Sequence, residues 1–166
     1  MKKIIKSIFL VCLSFIMLVP TVAYAEDENV PEWEDATLTE EEFNEILAPY
    51  VVDNTKTRAS GLITAYGMAI SKSGSKLLIA GKTYGNADVT KCGFTQVIVQ
   101  RRKNSDYSWS TYASFYDLYS NTVSYVLKKD LTPPSGYQYR VTCTHYAREN
   151  IFSTEKIDNI SNIVTM

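Results

Sequence analysis

Leu131-Thr132-Pro133-Pro134-Ser135-Gly136-Tyr137-Gln138-Tyr139-Arg140-Val141-Thr142-Cys143-Thr144-His145-Tyr146-Ala147 is the stretch that decides the fold. Its first half is a turn: two prolines fix φ, and Gly136 supplies the freedom a reversal needs. From 137 onward the chain alternates. Odd positions read Tyr137, Tyr139, Val141, Cys143, His145 and Ala147, and even positions read Gln138, Arg140, Thr142, Thr144 and Tyr146. That period of two is the signature of a strand with one buried face. Successive strand side chains point to opposite faces, so the odd set is expected in a core and the even set against solvent or a partner.

Working outward, residues 61–166 form a series of β-like runs separated by turn residues. Residues 62–71 and 76–84 flank Lys72-Ser73-Gly74-Ser75, and Gly85-Asn86-Ala87-Asp88 makes the next turn. A third run, 92–102, centres on Val97-Ile98-Val99, and a fourth returns from Trp109 to Phe115. Val123, Tyr125 and Leu127 alternate in a fifth. The stretch after the prolines is the sixth, and 162–166 closes a last edge. About seven short strands with no helix among them predict an all-β antiparallel sandwich of two sheets.

The spacing Leu131-x-Pro133-x-x-x-Tyr137-x-Tyr139-x-Val141-x-Cys143 resembles the corner into the sixth strand of fibronectin type III and immunoglobulin-like domains. The resemblance implies that Leu131, Pro133 and Tyr137 form the corner, the Tyr137 hydroxyl bonding back to backbone near 131–133. The tryptophan such domains place near the end of the second strand is replaced here by Leu77-Leu78-Ile79-Ala80-Gly81-Lys82. The family's topology also implies two groupings. Cys92, opening the third strand, and Cys143, late in the sixth, would lie on neighbouring antiparallel strands and form a disulfide; two buried free thiols are the alternative. Three turns at one pole would gather Lys72, Lys76, Arg101, Arg102, Lys103, Lys128 and Lys129 into a positive surface for an anionic partner.

Ahead of the sandwich lie two further segments. Residues 1–25 carry a basic head (Lys2, Lys3, Lys6), an apolar body from Ile8 to Val19 and the small-residue site Ala23-Tyr24-Ala25, the pattern of a cleaved signal peptide. Twelve apolar-rich residues ended by Pro20 are short of the roughly 20 needed to span a bilayer. The expected location is therefore extracellular, with no transmembrane anchor once the signal is removed. Residues 26–60 are an acidic leader with a short helix and a linker. Thr39 and Glu42 make a capping box, Leu38 can staple onto Phe43, and Pro49 stops the helix. Residues 26–55 hold eleven acids and no Lys or Arg, whereas 56–166 hold fourteen Lys and Arg against seven acids. A leader near −11 thus precedes a domain near +7, and it is expected to screen the positive pole. Arg58 is a conceivable processing point.

Composition argues against most chemistry. The one histidine, His145, alternates into a strand beside Cys143 and reads as a packed residue rather than a catalytic base. No paired Cys-x-x-Cys, His-x-x-x-His, calcium loop or phosphate-binding glycine loop occurs, so no metal or cofactor is expected. Export argues against a nucleic-acid partner. Tyr107, Tyr112, Tyr116 and Tyr119 lie close enough in sequence to share a contact face. The signal peptide, acidic leader and single sandwich are together similar to a group of small secreted proteins of Gram-positive bacteria, a likeness that carries over no catalytic residues. The expected function is a secreted, non-enzymatic binding module for an extracellular protein, glycan or anionic surface polymer. A secreted effector, toxin-like or antimicrobial and matured by cleavage near Arg58, is the alternative.

Overall fold

The computed structural model describes residues 31–55 and 61–166. The signal peptide, the first acids of the leader and Arg58 lie outside the described residues. Among these residues, ten strands and one α-helix run in the order β1 (Glu34–Asp35), α1 (Glu40–Leu47), a 3₁₀ turn (Ala48–Tyr50), β2 (Val51–Asp53), β3 (Ile63–Ser73), β4 (Lys76–Gly85) and β5 (Lys91–Arg102). They continue as β6 (Ser110–Ser120), β7 (Ser124–Leu131), β8 (Gln138–Asn150), β9 (Ser153–Ile160) and β10 (Val164–Thr165). The first sheet has the order β1-β7-β4-β3-β2; the second has β10-β8-β5-β6, with β9 also on β8. Every pairing is antiparallel. The architecture is an all-β sandwich of two antiparallel sheets.

Alternation along β8 builds one wall of the core. Tyr139, Val141, Cys143, His145 and Ala147 are all buried, while Gln138, Arg140, Thr142 and Tyr146 are not. Opposite them stand Met68, Ile70, Leu77, Ile79, Leu127 and Leu131 from the first sheet. In β5 the inward set changes parity, from Cys92 and Phe94 to Val97 and Val99. A β-bulge between Phe94 and Gln96 absorbs the extra residue, so both halves keep their apolar side chains inward. Gly93 is required nearby, because a Cβ there would run into the Leu118 carbonyl.

The turn before β8 is tied down differently from the sequence expectation. Tyr139, fully buried, donates its hydroxyl to the Pro134 carbonyl at 2.9 Å, whereas Tyr137 is half-buried and flanks it at 6.4 Å between ring centroids. The tyrosine that bonds back to the turn is therefore Tyr139, inside the strand, whereas Tyr137 precedes the strand's start at Gln138. Gly136, at φ 82°, and Tyr137 also clasp the terminal Met166 through two backbone hydrogen bonds. Leu131 and Pro133 are buried where the chain crosses between sheets.

Cys92 and Cys143 are free and buried. Cys92 is level with Ala147 on β8, four residues and about 13 Å along the strand from Cys143. A disulfide needs Cα atoms about 4.4–6.8 Å apart. The expected bridge is thus corrected: the start of β5 does lie beside the end of β8, but β8 continues to Asn150 and leaves Cys143 in its middle, level with Val97. The last edge of the sandwich also differs. β9, Ser153–Ile160, pairs along β8, and residues 164–165 add only a short continuation on the same edge. Between them Asn162 caps β3, its amide donating to the Ile70 carbonyl at 2.8 Å and accepting from the Ile70 N–H at 2.9 Å.

The described part of the leader, residues 31–55, belongs to the fold. Thr39 and Glu42 form both arms of the capping box, and those bonds hold the Glu42 carboxyl below its usual pKa. α1 lays Phe43 and Leu47 on the outer side of the first sheet, against Ala69 and Ala80. Such small residues let the helix approach closely. β1 extends β7, β2 extends β3, and Trp33 stacks flat on Phe115, closing the sandwich edge between β7 and β6.

Two stability measurements test this description. Tyr139→Phe should lower the urea-denaturation stability by about 1 kcal/mol, the loss of a buried hydroxyl's hydrogen bond, while Tyr137→Phe changes it by less than about 0.5 kcal/mol. Leu47→Ala should cost about 2–4 kcal/mol, as a core truncation does; a leader that merely hung in solvent would give no change.

Candidate functional site

The topology brings the three expected turns to one pole, since Leu77 pairs with Leu131 and Arg102 with Gln138. It does not leave the seven cations as one surface. On the first sheet the leader meets three of them: Lys128 binds Glu40 at 2.7 Å, Lys129 binds Asp35 at 2.6 Å, and Lys76 lies 3.4 Å from Glu34 and 3.0 Å from Asp130. Hydrogen bonding to Asp130 raises the Lys76 ammonium above its usual pKa. Lys72 and Lys103 stand exposed.

Arg101 and Arg102 part company because neighbouring strand residues face opposite ways. Arg101 lies over the rings of Tyr112 and Tyr137, 5.1 Å from each centroid, and plugs the end of the core beside Tyr139. Arg102 lies on the outer face of the second sheet. There its guanidinium sits 4.5 Å from the Trp109 ring centroid, and Arg140 sits 4.3 Å from the same ring. The Gln138 and Gln100 amide oxygens accept from Arg102 and Arg140 respectively, each at 2.8 Å. Among the described residues neither guanidinium has a carboxylate in ion-pairing range. Burial and then the Arg102 charge pull the Arg140 pKa down from its ordinary value. Sequence reasoning missed Arg140 as a site residue, although its even place in the alternation had already put it outward.

Farther along the same face is a cleft of about 390 Å³ lined by Gln96, Thr142, Cys143, Thr144, Asp158, Asn159 and Ile160. Gln96 donates to the Thr144 hydroxyl at 3.3 Å, and Thr144 donates to Asp158 at 2.6 Å. Tyr116, 58% exposed, is level with Gln96 on the neighbouring strand. The four tyrosines therefore separate: Tyr107 and Tyr116 are exposed, Tyr112 turns inward, and Tyr119 packs on Tyr146 beneath Lys91.

Behind the cleft, on the core side, lies His145. Its Nδ1 is 2.8 Å from the Thr83 hydroxyl, and its Nε2 is 3.5 Å from Cys143 Sγ and 3.4 Å from the Asn159 amide. Tyr66 and Phe94 pack on the ring. Burial lowers its pKa to about 3, so the imidazole is neutral at pH 7. The same cause raises the Cys92 thiol to about 11 and pushes Cys143 well above its usual range. A thiol and imidazole so placed form a satisfied core cluster; a nucleophile needs the thiolate and access to it. Among the described residues no group of three His, Cys, Asp or Glu is arranged to hold a metal ion.

Compared with protein-family models, curated proteins and solved structures, the chain matches none.

The buried histidine makes a pH prediction. Its folded pKa of about 3 lies below the ordinary value near 6.5, so the unfolded chain takes up a proton that the native one refuses. The stability His145 contributes is fully present above about pH 6.5 and falls by about 1.4 kcal/mol per unit as pH drops toward 3. Urea denaturation at pH 7 and pH 4.5 should therefore show a loss for the wild type larger by about 2–3 kcal/mol than that for His145→Gln.

Proposed function

We propose that this protein works outside the cell as a non-enzymatic binding module that presents the outer face of its second sheet to an anionic extracellular ligand, such as an acidic surface polymer. The observation that carries this reading is the Arg102–Trp109–Arg140 stack. Two like charges are held on one indole, with amide oxygens rather than carboxylates for company. An arriving phosphate or carboxylate would relieve that repulsion and find two forked donors. The neutral, buried His145 and the two buried thiols favour binding over catalysis.

The sandwich reading supports the same class of function. Among the seven long strands the first, second and fifth (β3, β4, β7) share one sheet, and the third, sixth and seventh (β5, β8, β9) share the other. The immunoglobulin-like sandwich divides its strands in this way, and here the fourth joins the third. Fibronectin type III-like membership, secretion through residues 1–25 and likeness to the Gram-positive secreted group are parts of this proposal. The effector alternative requires removal of a leader whose helix and strands are packed into the first sheet, so the binding-module reading is preferred.

Binding of the chain lacking residues 1–25 to polyphosphate and polygalacturonate, titrated across a salt series, tests the proposal. Both should bind at low salt and weaken as ionic strength rises. Arg102→Gln with Arg140→Gln should lower affinity by about tenfold or more, with Lys72→Gln changing it little. Equal binding by wild type and the double variant would remove the reading.

A further inference from the structure

We infer that the cleft at Gln96, Thr144 and Asp158 is a second subsite, one that takes an uncharged pyranose unit, so that the ligand of this face is a glycan rather than a simple polyanion. The inference rests on the reading of this face as the binding surface. Its basis is the chemistry of the cleft.

The β5 bulge turns Gln96 outward level with Thr144, which in turn is level with Asp158 on β9. Bulges re-aim side chains in this way beside functional sites. The resulting row is Gln96 to Thr144 to Asp158, donor to acceptor throughout. Thr144 engages one carboxylate oxygen of Asp158, and all three residues of the row line a cleft of about 390 Å³. That volume falls in the range of small-molecule sites. A row of alternating acceptors and donors matches vicinal hydroxyls, each of which both gives and takes a hydrogen bond. Ile160, 49% exposed, and Tyr116, 58% exposed, supply the apolar surface that a sugar's C–H face requires.

Charge excludes the other ligands. Asp158 repels an anion, which confines anionic groups to the Arg102–Arg140 end, four to six residues away along β8 from Arg140 and Gln138 to Thr144. For an amine, a single carboxylate already bound to Thr144 is a weak acceptor. Lys156, two residues before Asp158 and on the same face of β9, opposes a further cation. The face is thus zoned: guanidiniums at one end and a hydroxyl-reading row at the other. About 13–20 Å separate them at the ordinary strand rise, the span of a few sugar units.

Titration of the chain lacking residues 1–25 with cellotetraose, maltotetraose and N-acetylchitotetraose, followed by amide chemical shifts, tests the subsite. At least one should bind saturably, moving the amides of residues 96, 142–144 and 158–160. Asp158→Asn and Gln96→Ala should each weaken it by about tenfold, and Ile160→Arg, which fills the cleft mouth without touching the hydrogen-bonded row, should block it. Lys72→Gln, at an exposed residue outside both zones, should leave tetrasaccharide binding unchanged, and equal polyanion binding by the wild type and the Arg102→Gln, Arg140→Gln double variant counts against the proposed function and not against the cleft. The subsite is overturned if no tetrasaccharide shifts those amides up to about 10 mM. It is equally overturned if all three cleft variants bind as the wild type does, or if tetralysine binds there in their place and is lost in Asp158→Asn.

Discussion

The pleat of β8 is the constraint on which the molecule depends. Its side chains point alternately to the two faces from Gln138 to Arg148, ahead of a register shift before Asn150. One side supplies Tyr139, Val141, Cys143, His145 and Ala147 to the core, and the other supplies Arg140, Thr142 and Thr144 to the outer face. Core and candidate site are two sides of one ribbon. A slip of one residue would exchange them, placing Arg140 against Val99 and Leu131 and casting Val141 into solvent. The register is held from both edges: by β5 along nearly the whole length, and by β9 and then β10 on the other side. The β5 partner bends to accommodate it, through the bulge that reverses inward parity between Phe94 and Val97, and the β9 pairing shifts register between Arg148 and Asn150.

A second balance concerns the leader. Among the described residues three ion pairs join it to the first sheet, but their acidic partners are 76–90% exposed, so water competes for each charge and the pairs contribute little. Apolar contact holds it instead. Phe43 and Leu47 are almost wholly buried, and each such side chain is stabilised by about 1.5–3 kcal/mol relative to exposure. The charges decide where the leader lies, over Lys76, Lys128 and Lys129. The buried side chains decide that it stays. One consequence reaches the opposite sheet: with those lysines paired, Arg102 and Arg140 stand out on its outer face as two guanidiniums sharing one ring.

His145 shows how a polar group is accommodated in such a core. A buried imidazole without partners would cost several kcal/mol, but Thr83, Cys143 and Asn159 surround its two nitrogens, and Thr83 also donates to the Gly93 carbonyl. The cluster couples β4, β5, β8 and β9 at the level of the bulge. It thereby fixes the floor beneath the cleft, whose lining includes Cys143 and Asn159 from the same cluster.

Local chemistry made much of this fold legible. The two-residue period of 137–147, the turn residues between runs, and the capping box at Thr39 and Glu42 each act within a few residues, so the sequence by itself determined an antiparallel sandwich and a short capped helix. β9 was not legible: Ser-Thr-Glu-Lys-Ile-Asp-Asn-Ile has two apolar residues in eight, and it is a strand because β8 offers it an edge. The identity of the corner tyrosine, the separation of Cys92 from Cys143 and the parting of Arg101 from Arg102 all turn on register. Register is set between strands, not along one. The candidate site lay deeper still, because Gln96, Thr144 and Asp158 are far apart in the chain and unremarkable one by one. Only the stacking of three strands, with one extra residue in β5, made them a row.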